Sequence, residues 1–266
     1  MSITWILESE VYRDKHQSLK KALDQYQIRH LEWQDEWLQT KQFPNIDSEK
    51  VIFHGCLANA HLLFNEKIWS PGAYCDVERF LCSSWYNQAK GWLIQDNWKL
   101  TTVKKLVESP YSETEHIKTE EFFVRPNSPL KPFSGRVLNK NTVSYQALDF
   151  GFYFNNEDEE IVISDLKSIS KEWRYVVCNN RIITGSSYLA DNRSASGDDW
   201  KGTPFITAQD IARQLLPPEE IYIMDICYSN GDYKLLELNP FSGADLYSCN
   251  REDIVRAINS LYSPQT

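Results

Sequence analysis

The sequence lacks the short motifs by which many phosphate-binding and hydrolytic sites are identified. Neither G-x-x-x-x-G-K-[ST] nor G-x-G-x-x-G occurs in its 266 residues, which excludes a Walker-type phosphate loop and a dinucleotide-binding turn. G-x-S-x-G and H-E-x-x-H are also missing, which excludes the serine-hydrolase elbow and the zinc-protease helix. A site for phosphate or for catalysis must therefore be built from other residues.

The cysteines and histidines also lack a metal-binding spacing. The six cysteines contain no C-x-x-C pair and the five histidines are scattered, so no structural zinc site is predicted. Cys56, Cys178 and Cys227 lie in apolar, strand-like runs, which is typical of buried free thiols. We expect no signal peptide, because residues 1–5 lead into a short strand and then into charged residues. No apolar run is long enough to span a bilayer, so no membrane partner is expected. A reducing, cytoplasmic setting is predicted.

Basic residues are fewer than acidic residues in the chain, 28 against 37. The formal net charge is −9, which argues against a nucleic-acid partner bound through non-specific charge. Hydrophobic residues make up 42% of the sequence and include nine tryptophans, so we expect packed cores rather than disorder. The length suits two domains or one large one. Nothing in the composition indicates an oligomeric state.

Residues 1–95 predict a small α/β domain, because strand-like and helical segments alternate there. The expected strands lie at 3–7, 30–33 and 51–53, and the expected helix at 14–26. His54-Gly55-Cys56 follows the third strand as a candidate nucleophile site; the alternative is an ordinary polar strand end. The aromatic-rich residues 71–104 fit packing between domains better than a surface for stacking bases.

Residues 96–266 are rich in predicted strands and indicate an α+β domain, with two subdomains of about 96–165 and 166–266. The expected strands lie at 121–125, 161–164, 172–178 and 181–183, and the expected helices at 208–216 and 253–261. A final hairpin is predicted, with strands at 221–228 and 233–239 joined by the turn-forming residues 229–232.

The final hairpin carries three polar residues, Asp225, Glu237 and Asn239. A two-residue turn would place Asp225 and Glu237 on opposite faces, whereas a three-residue loop at 230–232 would set them opposite each other on one face. A shared metal site therefore depends on the three-residue loop, and Leu236 and Leu238 are expected to face the core. Two facing carboxylates and an amide oxygen then form a Mg²⁺ site. The alternative is a solvent-facing polar edge on an ordinary hairpin.

Three basic residues stand near predicted strand ends. They are Arg125, Lys131 and Arg174. Together with an acidic metal site they would suit a nucleoside triphosphate, because arginine grips phosphate through two hydrogen bonds and lysine acts as a point charge. For each cation taken singly, a surface salt bridge is the favoured explanation.

Five segments of the second half resemble the ATP-grasp superfamily when they are taken together. They are EFFVRP (121–126), LKPFSG (130–135), IVISD (161–165), EWRYVV (172–177) and MDI…LLELNP (224–240). The resemblance is to the clade named for two arginines and a lysine, and it covers roughly residues 95–260. The N-terminal domain matches no pattern of that clade, so the substrates stay open.

The resemblance implies an ATP-grasp fold, in which two α+β subdomains with antiparallel sheets grip ATP and Mg²⁺. Each functional position then has an expected role. Phosphate binding is implied for Arg125, Lys131, Ser134 and Gly135, adenine binding for Ile163, Ser164 and Asp165, ribose binding for Glu172, Mg²⁺ binding for Asp225, Glu237 and Asn239, and contact with the γ-phosphate or acyl-phosphate for Arg174.

The implied activity is an ATP-dependent carboxylate–amine ligase that works through an acyl-phosphate. Its partners would be small-molecule or peptide carboxylates and amines. The alternatives are a kinase on the same fold and a non-catalytic nucleotide-binding module. The acids and cations fit charge stabilisation during phosphoryl transfer, and the chain offers no good nucleophile–base pair.

Overall fold

Three β-sheets follow one another along residues 2–148, 156–189 and 192–263, which the computed structural model describes. The strands are β1 (Ile3–Leu7), β2 (Arg29–Glu32), β3 (Lys50–His54), β4 (Pro71–Gly72), β5 (Trp98–Thr102), β6 (Glu121–Pro126), β7 (Arg136–Asn139), β8 (Glu160–Asp165), β9 (Lys171–Cys178), β10 (Arg181–Leu189), β11 (Asn192–Gly197), β12 (Ile221–Ser229) and β13 (Asp232–Pro240). The helices are α1 (Ser9–Gln25), α2 (Glu36–Thr40), α3 (Leu57–Glu66), α4 (Val77–Phe80), α5 (Cys82–Trp85), α6 (Val103–Glu108), α7 (Pro110–Glu113), α8 (Thr203–Gln214) and α9 (Arg251–Tyr262). None of these helices is both long and apolar enough to cross a membrane.

The N-terminal sheet is parallel, with strand order β2-β1-β3-β4. Every residue of β1 is buried, because helices cover both faces of the sheet. Trp5 packs with Leu19 of α1 in one core cluster, whereas Ile6 packs with Leu63 of α3 in another. Near-continuous apolar runs are typical of such doubly covered strands. The three predicted strands of this region are present, and α1 begins five residues before the predicted helix.

The middle sheet is antiparallel, with strand order β5-β8-β6-β7. Side chains alternate along β6, so Phe122 and Val124 join the core beneath α6. Phe123 and Arg125 face the other way, into a cleft. Strands β6 and β8 were predicted from the sequence, whereas β5 and β7 were not.

The last sheet is also antiparallel, with strand order β11-β10-β9-β12-β13. One face packs on α8, and Tyr175 and Met224 belong to that core. The opposite face packs partly on α1 and α9, where Val176 and Ile223 lie. Because the N-terminal sheet shares this second core, the first and last sheets of the chain are packed together. The domain boundaries near residues 95 and 165 stay predictions.

Helix α8 begins earlier than predicted, at Thr203 rather than Ala208. Pro204 lies in its first turn, where proline is tolerated because its missing N–H has no partner to lose. The hairpin between β9 and β10 is present, and its turn residues Asn179 and Asn180 have positive φ angles of 47° and 61°. Asparagine adopts this conformation more easily than most residues.

Gly243 lies where the N-terminal sheet meets the last sheet. The Tyr12 hydroxyl donates to the Gly243 carbonyl at 2.9 Å, and the Gly55 amide donates to the Ser242 carbonyl at 2.9 Å. A Cβ atom on Gly243 would lie 2.8 Å from the Leu57 Cα atom. Glycine is required here by the close approach of two backbones.

We predict that Gly243→Ala lowers the free energy of unfolding by about 1–3 kcal/mol, because the backbone of α3 must move to admit the methyl group. Urea unfolding would measure this. Gly91→Ala is the matched control, since a Cβ atom on Gly91 has no neighbour within 4 Å, and its stability should stay near that of the wild type. Equal stability of the two variants would contradict the prediction.

Candidate functional site

A cleft of about 620 Å³ lies between the middle and last sheets. Phe123 and Arg125 of β6 line one wall, and Glu172 and Arg174 of β9 line the other. The linker 166–170, which joins β8 to β9, passes from one wall to the other, and several of its residues line the cleft. The volume is typical of a site for a small molecule or a nucleotide.

The turn between β12 and β13 has two residues and is not the three-residue loop on which the predicted pairing of Asp225 with Glu237 depended. Ser229 pairs with Asp232, and Asn230 and Gly231 both have positive φ angles, of 51° and 87°. Such a primed turn matches the twist of the two strands.

Asp225 and Glu237 nevertheless pair directly, as predicted, because β13 contains a bulge. Ile226 pairs with Leu235, whereas the next pair is Asp225 with Glu237, which leaves Leu236 as the extra residue. The bulge reverses the alternation of side chains. Leu236 therefore lines the cleft and does not share the core with Leu238, contrary to the prediction.

Arg174 completes a row of charged side chains across three strands. Asp225 pairs with Glu237 on one side and with Arg174 of β9 on the other. The Arg174 guanidinium donates to the two Asp225 carboxylate oxygens at 2.9 and 2.7 Å, and the Asn239 amide donates to the same carboxylate at 3.3 Å. Asp225 is only 1% exposed. Its charge is balanced by this buried, bidentate ion pair with Arg174.

Glu237 binds the two cations that come from the middle sheet. The Arg125 guanidinium donates to one of its oxygens, and the Lys131 ammonium lies 3.0 Å from its carboxylate. Burial alone would raise the pKa of Glu237, but Lys131 and Arg125 hold that pKa well below its ordinary value. The carboxylate is therefore charged at neutral pH.

Residues 130–135 form a loop that lies directly on β6. Lys131 has a positive φ angle of 50°, and Ser134 and Gly135 line the cleft. A Cβ atom on Gly135 would lie 2.7 Å from the Phe123 ring, so a larger residue would require this ring or the loop to move. The Lys131 side chain is 42% exposed and is the most solvent-accessible of the three cations.

Two tyrosines beside Arg174 were not predicted from the sequence. The Arg174 guanidinium lies 4.6 Å from the centre of the Tyr247 ring and 6.0 Å from that of Tyr188, which are cation–π distances. Its remaining nitrogen donates to the Asp245 carbonyl at 2.8 Å. Tyr188 is also the cross-strand partner of Glu172, and both line the cleft.

Most of the predicted site residues meet in this cleft. Those that line it are Arg125, Lys131, Ser134, Gly135, Asp165, Glu172, Arg174, Asp225 and Glu237. Asn239 reaches the site through its bond to Asp225. Ile163 and Ser164 do not line it. Ile163 packs in the core of the middle sheet, and the backbone of β8 pairs with β5 and β6 on its two sides.

Cys56 and His54 do not form a nucleophile–base pair. His54 Nδ1 lies 2.9 Å from His16 Nε2, and the Cys56 sulfur accepts the Asn59 amide at the start of α3. Burial raises the pKa of the Cys56 thiol to about 11, so the thiol is protonated at neutral pH and is a poor nucleophile.

The side chains of Asp225, Glu237 and Asn239 fit a magnesium ion in their chemistry. They supply two carboxylates and an amide oxygen on one face of neighbouring strands. Mg²⁺ is commonly held by one or two carboxylates, with substrate phosphates and water completing the shell. Among residues 2–148, 156–189 and 192–263, no cluster of three or more His, Cys, Asp or Glu side chains has metal-binding geometry, so phosphate would have to complete this set.

Residues 102–257 match the model of a known family. It is the ATP-grasp domain of the clade named for two arginines and a lysine, family 2, and the match covers more than half of the chain. No curated protein matches the sequence.

Solved structures of similar fold cover nearly the whole chain. D-cycloserine synthetase DcsG has a TM-score of 0.67 at 12% identity, covering 99% of this chain and 100% of that one. ATP-grasp ligase PsnB, complexed with a minimal precursor, has a TM-score of 0.62 at 12% identity, covering 98% and 99%. D-alanine–D-alanine ligase from Bacillus anthracis, complexed with ATP, has a TM-score of 0.60 at 12% identity, covering 100% of both chains. The predicted α+β fold is confirmed: two antiparallel sheets follow a small α/β unit along the chain.

We predict that Asp225→Ala lowers the free energy of unfolding by about 3–5 kcal/mol, because it leaves Arg174 buried without its partner charge. Asp225→Ala combined with Arg174→Met should cost less than Asp225→Ala alone, since the unpaired charge is then gone. Urea unfolding would compare the variants. Asp210→Ala, which removes an exposed ion pair with Arg213, should change stability by less than about 1 kcal/mol. Additive costs in the double variant would contradict this account.

Proposed function

Because this chain belongs to the ATP-grasp superfamily, in the clade named for two arginines and a lysine, we propose that it is an ATP-dependent ligase that joins a carboxylate to an amine. The charge pattern of the cleft carries the proposal. Two carboxylates, Asp225 and Glu237, stand in one row and are matched by Arg174, Arg125 and Lys131. A triphosphate with its metal ion offers the complementary set of charges, since phosphates suit the cations and the metal suits the carboxylates.

We place the triphosphate against Arg125 of β6 and Lys131 of the 130–135 loop that rests on this strand. The ribose lies toward Glu172, a buried acid on the facing wall that can accept hydrogen bonds from hydroxyl groups. The base lies toward the linker 166–170, because that segment lines the cleft where Ile163 and Ser164 do not.

Asp225, Glu237 and Asn239 would hold Mg²⁺, which neutralises developing charge on the phosphate oxygens. The protein residues do the rest of the positioning. Arg125 and Lys131 exchange the Glu237 carboxylate for phosphate oxygens, and Arg174 stays beside the row through Tyr247 and the Asp245 carbonyl. Walls from two sheets exclude water from the reacting groups.

The chemistry then needs no nucleophile from the protein. An oxygen of the substrate carboxylate attacks the γ-phosphorus, and ADP leaves with the electrons of the broken P–O bond. The amine attacks the acyl carbon of this acyl-phosphate, phosphate leaves, and the amine proton passes to solvent. The protonated Cys56 thiol and the buried His54 take no part.

The substrate class is proposed from the structures of similar fold. PsnB has been solved with a precursor peptide, and the others are a D-cycloserine synthetase and a D-alanine–D-alanine ligase. We infer that the acceptor is a peptide or an amino-acid-like small molecule. The cytoplasmic setting and the lack of a nucleic-acid partner expected from the sequence belong to the same proposal.

Arg125→Ala should weaken ATP binding by roughly 1.5–3 kcal/mol, the range for a hydrogen bond to a charged group. Titration calorimetry with ATP and Mg²⁺ would measure it. Arg213→Ala is the control, since Arg213 is 67% exposed on α8 and its loss should leave the affinity unchanged. Equal affinity in Arg125→Ala and wild type would reject this placement of the phosphates.

The ligase mechanism predicts an intermediate on the substrate and not on the enzyme. A screen for ADP release from amino acids and small peptides identifies the carboxylate, and hydroxylamine added with ATP should then trap it as a hydroxamate without any amine. Cys56→Ala should leave the trapping intact. ADP release without a hydroxamate, with a phosphorylated substrate in the mass spectrum, would instead identify a kinase.

A further inference from the structure

Gln95 is a buried polar side chain on the wall of the cleft that has no role so far. It is 5% exposed and lines the cleft. Its Oε1 atom is buried without a hydrogen-bond partner in the part of the chain that the structure describes. A buried amide oxygen without a partner costs free energy. A ligand that donates a hydrogen bond would remove that cost.

The residues next to Gln95 are held on two sides. The backbone amide of Ile94 donates to the Leu235 carbonyl of β13 at 3.0 Å. On the other side, the Lys167 ammonium lies 2.7 Å from the Asp96 carboxylate, and the side-chain amide of Asn97 donates to the Asp165 carboxylate at 3.0 Å. Gln95 is therefore held where the last sheet meets the linker 166–170.

Gln95 stands among apolar residues of the cleft lining. Ile94, Leu166 and Ile169 line the cleft with it. The charges nearby already have partners, since Lys167 pairs with Asp96 and Asp165 accepts from Asn97. Arg125 and Lys131 lie instead at Glu237. An uncharged ring system suits the surroundings of Gln95, and a charged chain suits those of Glu237.

We propose that Gln95 determines specificity for adenine by binding the base through its side-chain amide, an inference that rests on the proposed nucleotide site. The amide has an acceptor and a donor side by side, and glutamine pairs in this way with the 6-amino group and N7 of adenine. The carboxamide group of glutamine turns readily about its Cγ–Cδ bond, because that torsion has a broad range. Rotation brings Oε1 out of its unpaired position to accept from the 6-amino group, while Nε2 donates to N7.

Two analogues of ATP test the two bonds separately. Purine riboside triphosphate lacks the 6-amino group, and 7-deaza-ATP lacks the N7 acceptor. In the wild type each should bind about tenfold more weakly than ATP, as for the loss of one buried hydrogen bond. In Gln95→Met both ratios should fall to about one. Gln88→Met, the same change at an exposed residue outside the cleft, should keep the wild-type ratios.

Gln95→Glu keeps an acceptor and loses the donor. It should still discriminate against purine riboside triphosphate and should no longer discriminate against 7-deaza-ATP, whatever its overall affinity. Circular dichroism checks that each variant folds, and the ratios within one variant cancel any general weakening. If both Gln95 variants keep the wild-type affinity ratios between ATP and its two analogues, the role of Gln95 is overturned, whereas the proposed nucleotide site is not. A wild type that binds none of the three nucleotides would overturn the nucleotide site and this inference together.

Discussion

The ion pair between Arg125 and Glu237 connects the two sheets that form the cleft, and the arrangement of the site depends on it. Arg125 belongs to the middle sheet and Glu237 to the last sheet, and their side chains are only 11% and 14% exposed. A buried charge is tolerated only when an opposite charge or a metal ion faces it. Each sheet therefore supplies the charge that the other requires, and Lys131 reaches the same carboxylate from the loop above β6.

The two strands and the turn of the final hairpin could be predicted from its residues, but the bulge that sets its register could not. Asn230-Gly231 favours a two-residue turn, and on that basis Leu236 would face Asp225. The bulge places Glu237 there instead. The bulge lies beside a contact with residues far away in the sequence, since the Leu235 amide donates to the Trp92 carbonyl at 2.8 Å and the Leu235 carbonyl accepts from Ile94. Contacts over such distances leave no mark in the local pattern.

The charged residues of the site were visible in the sequence because charge within an apolar strand needs an explanation. Arg125, Arg174 and Asp225 each interrupt such a strand. The linker 166–170 has the pattern of a polar connector, since its contact with the cleft follows from the positions of two sheets. Ile163 and Ser164 were expected at the base, but a strand in the middle of a sheet has both backbone edges paired. The side chains of Ile163 and Ser164 are buried in the packed sheet, whereas the linker 166–170 after the end of β8 can line the cleft.

The missing glycine-rich loop explains why the cleft contains so many ion pairs. Such loops hold phosphate with backbone N–H groups, which carry no full charge and need no counter-ion when the site is empty. A site that uses arginine and lysine side chains must balance them, and here Glu237 and Asp225 do so. Under the proposed function the same carboxylates become metal ligands when phosphate takes the cations. If phosphate alone bound the cations, Glu237 would be buried without an opposite charge. If the metal ion alone bound Glu237, Arg125 would be buried without an opposite charge. The charge balance of the cleft therefore favours the magnesium–nucleotide complex over either component alone.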